Sequence, residues 1–145
     1  MNLLYEQTKA LTENEKDLIA NLSNISACLN ENLDYIYWVG FYILINNELV
    51  LGPFQGKPAC IRIPVGKGVC GTCVKERKIQ RVEDVHKFPG HIACDGASNS
   101  EIVLPIFKNN EVVAVLDIDS PIFNRFSLED ETKLKEVADY IGNLF

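Results

Sequence analysis

The chain has no apolar run approaching the roughly 20 residues that a membrane-spanning helix needs. Its start, Met1-Asn2-Leu3-Leu4-Tyr5-Glu6, has no basic segment leading into a hydrophobic one. These absences argue against a membrane span and an export signal, and they predict a cytoplasmic protein in a reducing compartment. Basic charge is also scarce. The 14 Lys and Arg against 20 Asp and Glu leave a formal charge of −6, which repels phosphate backbones and anionic lipid. Neither nucleic acid nor a membrane surface is therefore an expected partner, and the one basic clustering, over residues 75–81, falls on a predicted helix and its exit. No segment is of low complexity or rich in Pro and Ser, so neither disorder nor a flexible linker is indicated. With 47% hydrophobic residues over 145 positions, one domain can bury a core without disulfide staples.

Periodicity supplies the elements. Thr12-Glu13-Asn14-Glu15 has the form of a capping box, and behind it Leu18, Leu22, Ile25, Leu29 and Leu33 recur at helical spacing. Cys28 falls beside that stripe, where a free cysteine acts as a small apolar side chain. Residues 35–44 and 48–54 read as a hairpin across Asn46-Asn47, 59–65 as a short strand, 69–77 as a compact helix and 80–82 as a brief strand. Residues 84–99 are turn-rich, hold both histidines, and are long enough to be a working loop. Residues 101–107 and 111–118 make a second hairpin across Asn109-Asn110. Ser127-Leu128-Glu129-Asp130 then caps a final helix with Leu134, Val137, Ile141 and Leu144 on one face. This order predicts an α+β fold, a central antiparallel β-sheet with helices packed on it.

Alternation along the first strand puts Ile36, Trp38, Gly40, Tyr42 and Leu44 on one face. A glycine between two aromatic residues leaves a slot walled by rings, suited to a methyl group or a thioether, although the same rings could simply fill the core. Asp117 and Asp119 end an apolar strand and project from one face, about 7 Å apart by strand rise. Glu101 begins the preceding strand and so lies beside them in a tight hairpin. Three converging carboxylates can hold an ammonium group, bind a divalent cation, or keep one member protonated as a general acid; alone, the motif also fits a solvated strand end.

Cys60, Cys70 and Cys94 stand at intervals of ten and twenty-four residues. In a reducing compartment, separated thiols point to a metal site, a redox cycle or small core residues. Cys70-Gly71-Thr72-Cys73 is a lone C-x-x-C, but the antiparallel setting is not that of a thioredoxin. Cys60, Cys70, Cys73 and Cys94, with His91 in reserve, could hold zinc, though structural zinc sites usually come as two close pairs. A redox cycle asks only for one nucleophilic thiolate and a second thiol within reach. Cys94 lies in the loop ahead of Glu101, and Cys70, near a predicted helix N-terminus, is expected to have its thiolate favoured by the helix dipole. His86 and His91 are candidate bases or plain exposed loop residues.

Four stretches together resemble one family: Gly66-Lys67-Gly68-Val69-Cys70-Gly71-Thr72, Phe88-Pro89-Gly90-His91-Ile92-Ala93-Cys94-Asp95, Ser98-Asn99-Ser100-Glu101-Ile102-Val103-Leu104-Pro105, and Leu116-Asp117-Ile118-Asp119-Ser120. They are similar to the free methionine-(R)-sulfoxide reductases, small GAF-domain enzymes. The likeness runs from about the Trp38 strand to Phe126 and Asp130-Glu131 and, with a length that fits one domain, implies a single GAF-like domain over residues 1–145. It implies that Cys94 is the nucleophile, that Cys70 and Cys60 are the other redox cysteines, that Trp38 and Tyr42 form the aromatic wall, and that Glu101, Asp117 and Asp119 hold the substrate. Cys73 does not match the family's redox set and is either inert or an alternative partner for Cys70.

The expected reaction is reduction of free L-methionine-(R)-S-oxide. Cys94 would attack the sulfoxide sulfur while one of Glu101, Asp117 or Asp119 protonates the oxygen, and the Cys94 sulfenic acid would then condense with Cys70 or Cys60. A thioredoxin-type dithiol would reduce the disulfide, no cofactor or metal would be needed, and the family leads one to expect a homodimer. The alternatives are a GAF-domain sensor that binds a small ligand without catalysis and a zinc-stabilised interaction module.

Overall fold

A computed structural model describes residues 1–92 and 96–145. Its centre is a six-stranded sheet, antiparallel throughout. In chain order the elements are α1 (Leu3–Thr12), α2 (Leu18–Asn32), β1 (Trp38–Ile45), β2 (Glu48–Gln55), β3 (Arg62–Pro64), α3 (Gly68–Glu76), β4 (Gln80–Val82), a 3-10 turn (Val85–Lys87), β5 (Ser100–Lys108), β6 (Glu111–Ser120) and α4 (Leu128–Gly142). The strands lie in the order β3-β2-β1-β6-β5-β4. This is the α+β arrangement expected from the sequence, with the short strand of 59–65 trimmed to three residues. Among the described residues no helix is long and apolar enough to cross a membrane.

Both hairpins turn on Asn-Asn pairs. Asn46 and Asn47 have φ of 50° and 63°, and Asn109 and Asn110 have 51° and 65°. Two consecutive left-handed residues match the right-handed twist of the strands, and asparagine tolerates that conformation better than other non-glycine residues. Ser127 caps α4 by accepting from the Asp130 amide at 3.0 Å, while Asp130 accepts from the Ser127 amide at 2.9 Å, the reciprocal box read from the sequence.

The first capping box is not formed. Thr12 is the last residue of α1, and its hydroxyl donates to the Thr8 carbonyl at 2.8 Å and meets the Tyr140 hydroxyl at 2.8 Å. Asp17 caps α2 instead, accepting from the Ala20 amide at 2.8 Å. Thr12 thus ties α1 to α4, where the Tyr5 and Tyr140 rings also meet edge to face with centroids 5.8 Å apart. The stripe behind it behaves as expected: Leu22, Ile25 and Leu29 are buried against the sheet.

Strand alternation splits the apolar side chains into two clusters. Val39, Phe41, Ile102, Leu104, Ala114, Leu116 and Ile118 face α2 and α4. The intervening Trp38, Tyr42, Val103 and Val115 face the other way, with Val69, Cys70, Cys73 and Val74 of α3. By the same period of two, Glu101, Asp117 and Asp119 project towards α3. Gly71 lets α3 sit hard against the β3 end, since a Cβ there would lie 2.4 Å from the Pro64 carbonyl oxygen.

Candidate active site

Strand register assembles the carboxylates. Asp119 on β6 pairs with Trp38 of β1 on one side and Glu101 of β5 on the other, and Asp117 pairs with Gly40 and Val103 one step along. α3 covers this row, and the segment between β2 and β3 closes it from the β1 side. They enclose a cavity of about 60 Å³ lined by Trp38, Tyr42, Cys70, Glu101, Asp117 and Asp119, among others.

Cys70, Glu101 and Asp117 each bring a donor atom to within 4.8 Å of the others, and all three are buried. Burial disfavours the Glu101 carboxylate first, and the charges of Asp117 and Asp119 disfavour it further. Its acid therefore stays protonated well above the usual carboxylate range and donates to Asp117 and Asp119. Burial raises Asp117 too, but hydrogen bonds from Glu101 and Cys70 favour its ionised form. The Oδ1 atom of Asp117 is buried with no hydrogen-bond partner among the described residues. An acceptor in that state is costly unless something with N–H or O–H groups comes to meet it.

The Cys70 expectation is overturned. Its thiol is pushed well above its ordinary value, chiefly by burial and then by Asp117, Glu101 and Asp119. A dipole's fractional charge at the start of α3 does not offset full burial beside the Asp117 carboxylate, so Cys70 is held as a neutral thiol against Asp117. Cys73 is fully buried, its thiol points at the Val103 carbonyl at 3.7 Å, and burial raises its pKa as well. Cys60 is disulfide-bonded, whereas Cys28, Cys70 and Cys73 are free. That bond removes one ligand from the four-thiol zinc alternative. Cys94 lies outside the described residues.

The aromatic wall exists, but the slot at Gly40 does not. A bulge between Gly40 and Tyr42 brings β2 close, so a Cβ on Gly40 would lie 2.3 Å from the Phe54 Cβ. Phe54 fills the space and stacks on Trp38 with centroids 5.2 Å apart, and Trp38 in turn stacks on Tyr42 at 6.0 Å. The pocket therefore uses the free flanks of Trp38 and Tyr42. Trp38 donates from Nε1 to the Lys57 carbonyl at 3.1 Å, and Tyr42 donates its hydroxyl to the Cys60 carbonyl at 2.9 Å.

His86 is exposed and bound to Asp84 at 2.9 Å, as befits a loop residue. His91 reaches the cavity, and partial burial lowers its pKa, so its ring is the more readily neutral. Tyr37, Ser98 and the Pro58-Ala59 pair also line the pocket, and the sequence alone does not single them out. Pro58-Ala59 has a visible signal in the Gly and Pro punctuation around it, while Ser98 and Tyr37 have none.

The GAF domain family model matches residues 26–145. The free methionine-R-sulfoxide reductase of Escherichia coli (strain K12) is 59% identical over 129 residues, spanning 89% of this chain and 78% of that protein. The reduced form of Staphylococcus aureus fRMsr superposes with a TM-score of 0.95 at 58% identity, covering 98% of this chain and 92% of that one. The same enzyme in complex with substrate superposes with a TM-score of 0.93 at 57% identity, covering 98% and 93%.

Proposed function

The chain belongs to the GAF-domain free methionine-R-sulfoxide reductases, and from that membership we propose that residues 1–145 work as one unit that reduces free L-methionine-(R)-S-oxide to L-methionine. It is an oxidoreductase, and we read it as acting on the sulfoxide sulfur through its own thiols. The observation that carries the residue-level reading is the carboxyl cluster of buried Glu101 and Asp117 with half-buried Asp119, between the Trp38–Tyr42 wall and Cys70.

In the first step the Cys94 thiolate attacks the sulfoxide sulfur. Glu101, the member of the cluster that burial and like charge hold protonated, gives its proton to the sulfoxide oxygen. The S–O bond breaks, the sulfur is reduced by two electrons, and Cys94 leaves as a sulfenic acid carrying that oxygen. Asp117, whose Oδ1 has no partner among the described residues, and Asp119 receive the substrate ammonium, while the free flanks of Trp38 and Tyr42 seat the S-methyl group. A protein-bound sulfoxide lacks the free ammonium and carboxylate that such a pocket would recognise.

In the second step a thiolate displaces the sulfenic oxygen as water and forms a disulfide. Cys60 is the stronger candidate to close first, because it is the cysteine already disulfide-bonded while Cys70 is a neutral buried thiol on Asp117. Cys70 remains the second redox candidate. A thioredoxin-type dithiol regenerates both thiols by exchange, in the cytoplasm and on a homodimer.

The test is methionine production from the free (R)-sulfoxide with dithiothreitol as reductant. The parent forms methionine and Cys94→Ser does not. Equal rates in the two proteins would remove Cys94 from the mechanism, and no methionine from the parent would leave the non-catalytic sensor.

A further inference from the structure

The segment between β2 and β3 carries Cys60 and is gripped at both ends by the two aromatic residues of the pocket wall. At its start Gly56 has φ of +141°, and a Cβ there would lie 2.6 Å from Trp38 Cδ1, so the indole rests directly on the backbone. The next residue, Lys57, gives its carbonyl to Trp38 Nε1 at 3.1 Å. At the far end the Cys60 carbonyl accepts from the Tyr42 hydroxyl at 2.9 Å, and the Ile61 carbonyl accepts from the Leu51 amide at 2.9 Å as β3 joins the sheet. Trp38 and Tyr42 are themselves fixed, stacked on each other and, for Trp38, on Phe54, and both are buried.

We propose that Trp38 and Tyr42 are positioning residues for the resolving step: through the Lys57 and Cys60 carbonyls they hold the Cys60 segment over the pocket, so that the Cys60 thiol closes on the sulfenic acid. The inference rests on the reading of Cys94 as the sulfenic acid and Cys60 as the resolver, and it goes beyond the rings' contact with the substrate methyl. Chemically the step is Cys60–SH plus Cys94–SOH giving the disulfide and water: the S–S bond forms, the S–O bond breaks, and the thiol proton leaves with the hydroxide. The rate of that step depends on how often the two sulfurs meet in line, which a two-point clamp on a five-residue segment, Gly56 to Cys60, controls directly. Tyr42 suits the task because burial, with Asp117 next, holds its phenol protonated and able to donate.

The decisive experiment is a single turnover without reductant, following methionine by rapid quench, sulfenic acid by trapping with a cyclic diketone, and disulfide by mass. Gly56→Ala loosens the clamp from the loop side, and because its Cβ also presses on Trp38 the readout is the ratio of closure rate to burst rate. That ratio should fall about fivefold, the worth of one lost hydrogen bond, with trapped sulfenic acid rising to match. Tyr42→Phe keeps the ring and removes only the hydroxyl, and it should lower the ratio of closure rate to burst rate by a similar factor. With a small monothiol at high concentration, which takes the sulfenic acid without Cys60, the Gly56→Ala turnover should rise to the limit set by its own methionine burst. Closure and burst that change together in both variants would overturn the clamp. A parent that shows no burst would overturn the proposed function, and the clamp with it.

Discussion

Replacing Glu101 with Gln should stabilise the protein at neutral pH, even though it removes the proposed proton donor. Glu101 is 6% exposed, and its pKa is raised by burial and by two neighbouring carboxylates. In the unfolded chain it titrates near the ordinary glutamate value of about 4.3. Between that value and its raised folded value the native state binds a proton that the unfolded state has lost. Native stability therefore falls as pH rises, by about 1.4 kcal/mol per pH unit, and the group's contribution is complete only below the window. Gln is neutral in both states and can donate to Asp117 as the protonated acid does. The stability difference between variant and parent should open at about pH 4.5 and widen with pH until the raised folded value of Glu101 is passed. For a chain of this size that is a gap in melting temperature widening by about 4 °C per pH unit. Urea unfolding of both proteins, with the thiols held in one redox state, reads it directly. Parallel stability curves from pH 4.5 to 7 would show that Glu101 ionises like an exposed carboxylate, and the assignment of the proton donor would fall with that result.

The same protonation predicts that single-turnover methionine release declines as pH rises through the raised Glu101 value, since the acid form is the donor, and that Glu101→Gln lowers the rate roughly 100-fold while abolishing that alkaline limb. A limb that survives in the variant belongs to another group. Cys73→Ala should cost about 1 kcal/mol in urea unfolding, for a fully buried thiol, yet leave the yield of disulfide after one turnover unchanged. A lost disulfide would make Cys73 a working thiol. Gly71→Ala should destabilise by about 2–3 kcal/mol, because the added Cβ meets the backbone of Pro64 and Gly66 rather than a mobile side chain, and an unchanged unfolding midpoint would contradict that contact.

Much of the fold is legible in the sequence because local chemistry and tertiary structure agree. The Asn-Asn pairs turn both hairpins, Ser127 with Asp130 caps α4, and the period of two along β5 and β6 is enough to bring Glu101, Asp117 and Asp119 to one face. What is not legible depends on contacts remote in sequence. Thr12 looks like a cap until Tyr140, 128 residues away, takes its hydroxyl. Cys70 reads as an activated thiolate near a helix start, but its neighbours from β5 and β6 bury it and oppose its ionisation. Gly40 reads as a slot between rings, but β2 fills it with Phe54 through a bulge that no pattern in β1 announces. The segment that carries Cys60 is visible only as Gly and Pro punctuation, and its hold on Trp38 and Tyr42 is made by main-chain carbonyls, which have no sequence signature.

The central claim is that this pocket reduces one epimer of one free amino acid. Methionine should therefore be measured after incubation with dithiothreitol and, separately, free L-methionine-(R)-S-oxide, free L-methionine-(S)-S-oxide and the (R)-sulfoxide within a peptide. Methionine should form from the free (R) epimer alone. Comparable product from the (S) epimer or from the peptide, or none from the free (R) epimer, would contradict it.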